Sequence, residues 1–207
     1  MSRRERLTDY WDDQAADYEQ RMASLERRYF ADSRLWVCRR ATGSTLEVAI
    51  GTGLNLRHYP DHVRLTGVDW SPRMVQAAQR NADRLARPVA LSRADAADLP
   101  FADDVFDAVV CTFALCCIPD ERAALLEAVR VLRPGGSLLL ADHIAASNPL
   151  LRAVEHLVEL VTIPLQGEHY TRRPLTTVRQ LDLEIVATER LTHGAIEHVH
   201  ARKPDRR

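Results

Sequence analysis

Carboxylates and a glycine pair stand where runs of apolar residues end in the first half of the chain. Glu47 sits inside TLEVAI (45–50), which opens directly into Gly51-Thr52-Gly53. Glycine there lets backbone approach a ligand where any Cβ would clash. Taken alone, the pair is equally a tight strand-to-helix turn. A dinucleotide fingerprint G-x-G-x-x-G would need its third glycine at position 56, which is Leu56. That leucine disfavours a nicotinamide or flavin dinucleotide, and with it a dehydrogenase. Asp69 closes the next apolar run, RLTGV (64–68), where a carboxylate can accept both hydroxyls of a ribose. Asp95, in ADAADLPF, can meet an adenine amino group. Each aspartate by itself is also a solvated helix cap. In series beside a glycine loop, they predict a nucleoside site.

A second group of reactive side chains lies late in the chain. Six of the 8 histidines follow residue 140, so acid–base or orienting chemistry is expected there. His143 ends SLLLADH (137–143), and GEHYTRRP (167–174) brings His169, Tyr170 and Arg172 together. His143 and His169 are the candidates for a base or an orienter. Tyr170 and Arg172 are candidates for a polar handle on a substrate. The competing reading for all four is ordinary packing, and for His193, His198 and His200 an exposed edge hairpin. No pair has the spacing of a metal site backed by a carboxylate on one helix, so no metal is expected. Cys38, Cys111, Cys116 and Cys117 form no C-x-x-C pair and read as reduced, packed thiols.

The elements that must position these groups alternate regularly. Strands are expected at 45–50, 64–68, 88–93, 105–112 and 137–143. Ser71-Pro72 is a cap followed by proline at the first helical position, starting a helix that runs to about Leu85. A second helix spans Asp120 to Leu132, and Pro134-Gly135-Gly136 turns the chain into the fifth strand. Strand, short loop and helix in repetition make parallel βαβ units, hence an open α/β sheet with helices on both faces. Residues 1–41 read as amphipathic helix, with Tyr10, Trp11, Tyr18, Tyr29 and Trp36 among its apolar positions. A mostly apolar helix at 149–162 is expected to wall a pocket for an apolar substrate. Strands at 183–190 and 196–201 close the chain as an antiparallel hairpin, and RKPDRR is expected to be a disordered charged end.

The stretches LEVAIGTGLN (46–55), GVDWSPRM (67–74), ADAADLPFADDVFD (94–107) and VLRPGGSLLLADH (131–143) resemble class I S-adenosylmethionine (SAM)-dependent methyltransferases. The resemblance implies a Rossmann-like α/β fold with a seven-stranded, mostly parallel sheet, order 3-2-1-4-5-7-6. It implies one methyltransferase domain over 1–207: an N-terminal helical lid (1–41), a SAM-binding core (42–147), a substrate-side insert with closing strands (148–201) and a charged tail (202–207). Glu47, Gly51 and Gly53 would hold the methionine end and Asp69 the ribose. Trp70 and Met74 would border the adenine, Asp95 and Ala96 would read its amino edge, and Thr112 would lie beneath the sulfonium. Tyr10 and Tyr18, in YWDDQAADYE, match a segment that closes over the cofactor. One departure stands out. The family's strand usually reads E-x-G-x-G-x-G, and here Ala49 replaces the first glycine.

VVCTFALCCIPDERAALLEAVRVLRPGG, GEHYTRR and the closing ARK look like the small-molecule branch holding alkyl-thiol, quinone and phospholipid methyltransferases. That resemblance implies methyl transfer to a small, largely apolar acceptor, a thiol, phenol, amine or quinol carbon. The alternative is a SAM-binding protein that does not methylate, such as a biosynthetic cyclase or a regulatory partner. Lys and Arg total 28 against 29 Asp and Glu, a balance that argues against nucleic acid as a partner. The start lacks the apolar stretch of a secretory leader, and the longest nearly apolar run, 108–119, is far below the roughly 20 residues of a membrane span. A cytoplasmic protein is expected, with its oligomeric state open.

Overall fold

Phe106–Thr112 is mostly apolar, with β-branched Val109, Val110 and Thr112, and all but one of its residues are buried. Such a segment fits only the middle of a sheet covered on both faces. It is β4 in the computed structural model, which describes residues 3–25, 28 and 30–205. β1 (Ser44–Val48), β2 (Arg64–Asp69), β3 (Val89–Arg93) and β5 (Leu132–His143) run parallel to it. β6 (Glu184–Leu191) and β7 (Ile196–Arg202) form the closing hairpin, with β7 antiparallel to β5. The order is β3-β2-β1-β4-β5-β7-β6, as the family resemblance implied.

The connecting helices form where the sequence provides their ends. Ser71 accepts the Met74 N–H at 3.0 Å and starts α4 (Pro72–Arg84). Asp120 accepts the Ala123 N–H at 2.9 Å and starts α5 (Glu121–Val131). Asn148 does the same for α6 (Pro149–Gln166), and a five-residue α7 (Pro174–Val178) follows. The N-terminal segment is helical, as α1 (Arg3–Gln14), α2 (Tyr18–Leu25) and α3 (Ala31–Cys38). Tyr29 lies outside the described residues. Two buried clusters fill the layers, one around Leu46, Val109, Leu125 and Leu138, the other around Val37, Ala78, Val110 and Leu139.

Four expectations need correction. His198 and His200 do not lie on an exposed edge, because β7 pairs on both sides, with β5 and β6, and His198 is buried. β5 begins at Leu132, and Pro134-Gly135-Gly136 makes a bulge against β4 inside it, because Phe106 pairs with Leu132 while Ala108 pairs with Ser137. The charged tail is ordered through residue 205: Lys203 donates to Asp104 Oδ1 at 2.9 Å and to the carbonyls of Val129 and Leu132. Residues 206 and 207 lie outside the described residues. α6 continues four residues past 162, and its apolar side faces solvent instead of the pocket, with Leu150 79% exposed and Leu160 72%.

Candidate cofactor and acceptor site

The carboxyl ends of β1, β2, β3 and β4 frame a half-open cleft. It lies where the sheet order reverses, between β1 and β4, the place where open α/β sheets receive ligands. Gly51, Asp69, Trp70, Met74, Asp95, Ala96 and Tyr18 all line it, together with Ala49. These belong to segments scattered from 18 to 96, and the strand ends bring them to one place.

Gly51 has φ +58°, and a Cβ built on it would meet nothing within 4 Å, so its face is open to the cleft. Gly53 serves packing, since a Cβ there would come within 2.7 Å of Leu56 and 3.3 Å of the Ala78 backbone. Asp69 is 7% exposed and accepts the N–H groups of Gly51 and Ser71, each at 2.9 Å. Burial nevertheless pushes its carboxyl up to about 6, because those two bonds only partly offset the lost hydration. A buried carboxylate with lone pairs turned to an apolar cleft suits a polyhydroxyl ligand. Ala49 sits at φ +54°, the left-handed region that glycine adopts without cost.

Glu47, Gly53 and Thr112 do not line the cleft but support it from below. Glu47, 2% exposed, accepts from Asn55 Nδ2 at 2.8 Å and from the Tyr59 hydroxyl at 2.9 Å. Asn55 also donates to Thr112 Oγ1 at 2.9 Å. Arg34, 6% exposed on α3, donates to both Asn55 Oδ1 and Thr112 Oγ1, and its guanidinium lies 5.0 Å from the Phe113 ring centre. Burial pushes Glu47 up to about 7 against the pull of these donors. Arg34, Asn55 and Tyr59 escaped sequence reasoning, for a lone arginine on an N-terminal helix carries no spacing signal.

The lid segment divides its two tyrosines. Tyr18 and Trp11 face the cleft, with ring centres 6.3 Å apart. Tyr10 instead donates to Gln166 Oε1 of α6 at 2.5 Å. α1 is tied down by Arg4 to Asp95 and by Asp12, which accepts from the Ser71 hydroxyl and from the Arg73 N–H.

None of the candidates His143, His169, Tyr170 and Arg172 lines the cleft; His169 and Arg172 bond to the segment 115–119, of which Cys117, Ile118 and Pro119 do line it with Phe113 and Ala114. The His143 ring stacks on Tyr170 with centres 4.8 Å apart, and its Nε2 lies 3.6 Å from Glu168 Oε1. Burial lowers His143 to about 4, so it is neutral at ordinary pH. Tyr170 donates to Glu168, and burial raises its phenol well above the usual value. Glu168 itself was missed by sequence reasoning. His169 donates its backbone N–H to the Cys116 carbonyl, while its ring lies toward Glu159. Arg172 donates to the carbonyls of Leu115 and Ile118 at 2.5 Å and of Pro119 at 3.2 Å, clamping the loop that follows β4. The fold also gathers ligand-type atoms of Cys116, Asp142 and His143 within 4.8 Å of one another, a proximity that no sequence spacing revealed.

A family profile described as "Methyltransferase domain" matches residues 46–140. The chain is 37% identical over 115 residues to a phosphatidylethanolamine N-methyltransferase of Cereibacter sphaeroides, covering 55% of this chain and 57% of that one. It is 33% identical over 134 residues to the thiol S-methyltransferase TMT1A of Homo sapiens, covering 62% and 54%. The chain thus spans little more than half the length of these curated relatives. Among solved structures, a geranyl diphosphate C-methyltransferase from Streptomyces coelicolor superposes with a TM-score of 0.74 at 15% identity, over 96% of this chain and 97% of that one, a likeness of fold. No helix among the described residues is long and apolar enough to cross a membrane.

Proposed function

We propose that the chain carries a class I SAM-dependent methyltransferase domain and transfers a methyl group to a small, largely apolar acceptor by in-line displacement. The observation that carries this reading is the cleft itself: one buried carboxylate, Asp69, at the end of β2, and apolar or aromatic walls from Trp11, Met74, Phe113 and Ile118. Asp69 would hold the ribose, Asp95 and Ala96 the adenine edge, and Trp70 and Met74 the adenine faces. Gly51 would admit the methionine end, with Glu47, Gly53 and Thr112 holding the floor that supports it. Tyr18 and Trp11 would close over the top, with Tyr10 fixing the lid to α6.

When bound, SAM supplies an activated methyl on a sulfonium. The chain's own tasks are then alignment and exclusion of water. A base matters only where the acceptor must first lose a proton. His143 and His169 are the candidates, with Tyr170 and Arg172 shaping the acceptor side. At about 4, His143 is available as a neutral acceptor but is a weak base. An acceptor that ionises unaided suits it best. A thiol with an ordinary value near 8.5 is already a few per cent thiolate at neutral pH, far more than a phenol. We therefore rank thiols first, ahead of phenols, amines and quinol carbon.

The test is incubation with methyl-labelled SAM and a panel of alkyl thiols, phenols, amines and quinols. Labelled product from an apolar thiol, with a rate rising through the thiol's own pKa, is the expected result. SAM binding with no labelled product from any acceptor would make this a SAM-binding protein of another kind.

A further inference from the structure

α6 is built inside out. A surface helix normally turns its apolar stripe to the core and its polar side chains to water. Here the polar side chains face the protein. Glu155 accepts the Ala146 N–H at 2.9 Å, and Glu159, 8% exposed, accepts from both the N–H and the hydroxyl of Thr171. Thr162 donates to the Glu168 carbonyl, and Gln166 joins Tyr10 to Glu168. Twelve positions of the helix are exposed, and His156 is the only polar one among them. At 100° per residue, the large apolar side chains fill an arc of roughly 180° that contains no charge.

We propose that this face pairs with the same face of a second copy of the chain, making α6 the dimer helix of a two-fold assembly. Three observations favour that occupant. The exposed fractions along α6 amount to on the order of 800 Å² of apolar surface, more than the largest patch of a typical monomer. That matches the roughly 800 Å² per partner of a standard stable interface. Leu150, Val154, Leu157 and Val161 recur at spacings of 4, 3 and 4, alternating leucine and β-branched residues as in a two-stranded helix seam. With no charge in the arc and a net charge of −1 on the chain, two copies meet little repulsion. A lipid surface fits less well, because the polar side of α6 is not cationic, carrying Arg152 against Glu155 and Glu159, and those two glutamates are bonded into the protein instead of facing headgroups. The helix carrying the lid contact and the acceptor-side loop on its inner side would thus carry the partner on its outer side.

Sedimentation equilibrium of the full chain between about 1 and 100 µM tests this, since an interface of this size holds at micromolar concentration or below. The parent is expected to be a dimer, and Leu157→Glu to raise the dimer dissociation constant at least roughly 100-fold, because pairing would bury a carboxylate. Leu126→Glu, on the exposed side of α5, should leave the dimer intact. A cooperative melt and SAM-induced stabilisation report that each variant is folded. If Leu157→Glu fails that control, Val161→Ser replaces it with the same expected direction. A parent that is monomeric at the highest concentration overturns the proposal, as does a dimer that both α6 variants leave unchanged. A monomeric parent that sediments with phosphatidylcholine vesicles overturns it in favour of a lipid surface.

Discussion

Arg4 Nη2 lies 2.6 Å from Asp95 Oδ2, so the first turn of the N-terminal helix is bonded to the carboxylate at the end of the third strand. Together with Asp12 on Ser71, this contact holds α1 across the cleft. The Arg4 tie lies near the surface, Arg4 being 62% exposed, and contributes only about 0.2–1 kcal/mol, while the Asp12 tie ends on the buried Ser71. Arg4→Ala combined with Asp12→Ala should therefore speed SAM dissociation about 3- to 30-fold while leaving the fold intact. Stopped-flow displacement reads this directly. An unchanged dissociation rate would mean that α1 does not gate the cofactor.

Ala49 occupies a glycine's conformation, at φ +54°. Ala49→Gly should remove strain on the order of 1 kcal/mol. For a domain of this size, that amounts to a rise in Tm of about 2–4 °C. SAM affinity should hold or improve, because Ala49 lines the cleft and its methyl occupies ligand space. A fall in Tm would show that the methyl contributes packing worth more than the strain.

Asp69 should govern cofactor affinity. Asp69→Ala is expected to weaken SAM binding about 30- to 1000-fold, the loss of a carboxylate accepting two hydroxyls. Because burial lifts this carboxyl to about 6, the free protein protonates it as pH falls through 6. Calorimetric affinity in the parent should decline on that side, and the Asp69→Ala protein should lose the decline. Equal affinities in the two proteins would remove the nucleoside-site assignment.

Stability should respond to pH in an unusual direction near neutrality. Burial lifts Glu47 and Asp142 to about 7, so the folded chain holds protons there that the unfolded chain has released. Stability from these groups therefore rises as pH falls from about 8 toward the unfolded values near 4. His143, lowered to about 4 by burial, acts oppositely, costing stability as pH falls below 6.5. From these groups Tm should thus climb as pH falls from 8 and keep climbing below 6.5 toward about 5, because Glu47 and Asp142, joined by Asp69 below about 6, outweigh the single histidine. Glu47→Gln should reduce the climb in thermal melts, and an identical slope in that variant would locate the protons elsewhere.

Arg172 should behave as a structural clamp on the acceptor side. Its guanidinium satisfies the carbonyls of Leu115, Ile118 and Pro119, and Ile118 and Pro119 line the cleft. Arg172→Ala should cost about 1.5–3 kcal/mol in denaturant unfolding, as hydrogen bonds from a charged group are lost. A stability change under about 0.5 kcal/mol would return Arg172 to the role of a free substrate handle.

The strand ends, the glycine loop and the two capped helices were legible because each is set locally. Ser71-Pro72 and Asp120 start helices by their own hydrogen bonds, and the run 105–112 can be stable only at the middle of a sheet. Asp69, Asp95 and Gly51 were legible for the same reason, since parallel strands deliver their last residues to one edge. What depends on packing between distant elements was not. Arg34 reaches Asn55 and Thr112 across 21 and 78 residues, Arg172 reaches carbonyls more than 50 residues away, and Glu168 meets His143 only after α6 folds back. The apolar pattern of α6 was plain in the chain, but pattern sets only that a helix has an apolar side. Which way that side points was decided by the tertiary hydrogen bonds of Glu155 and Glu159, which turn the polar side inward.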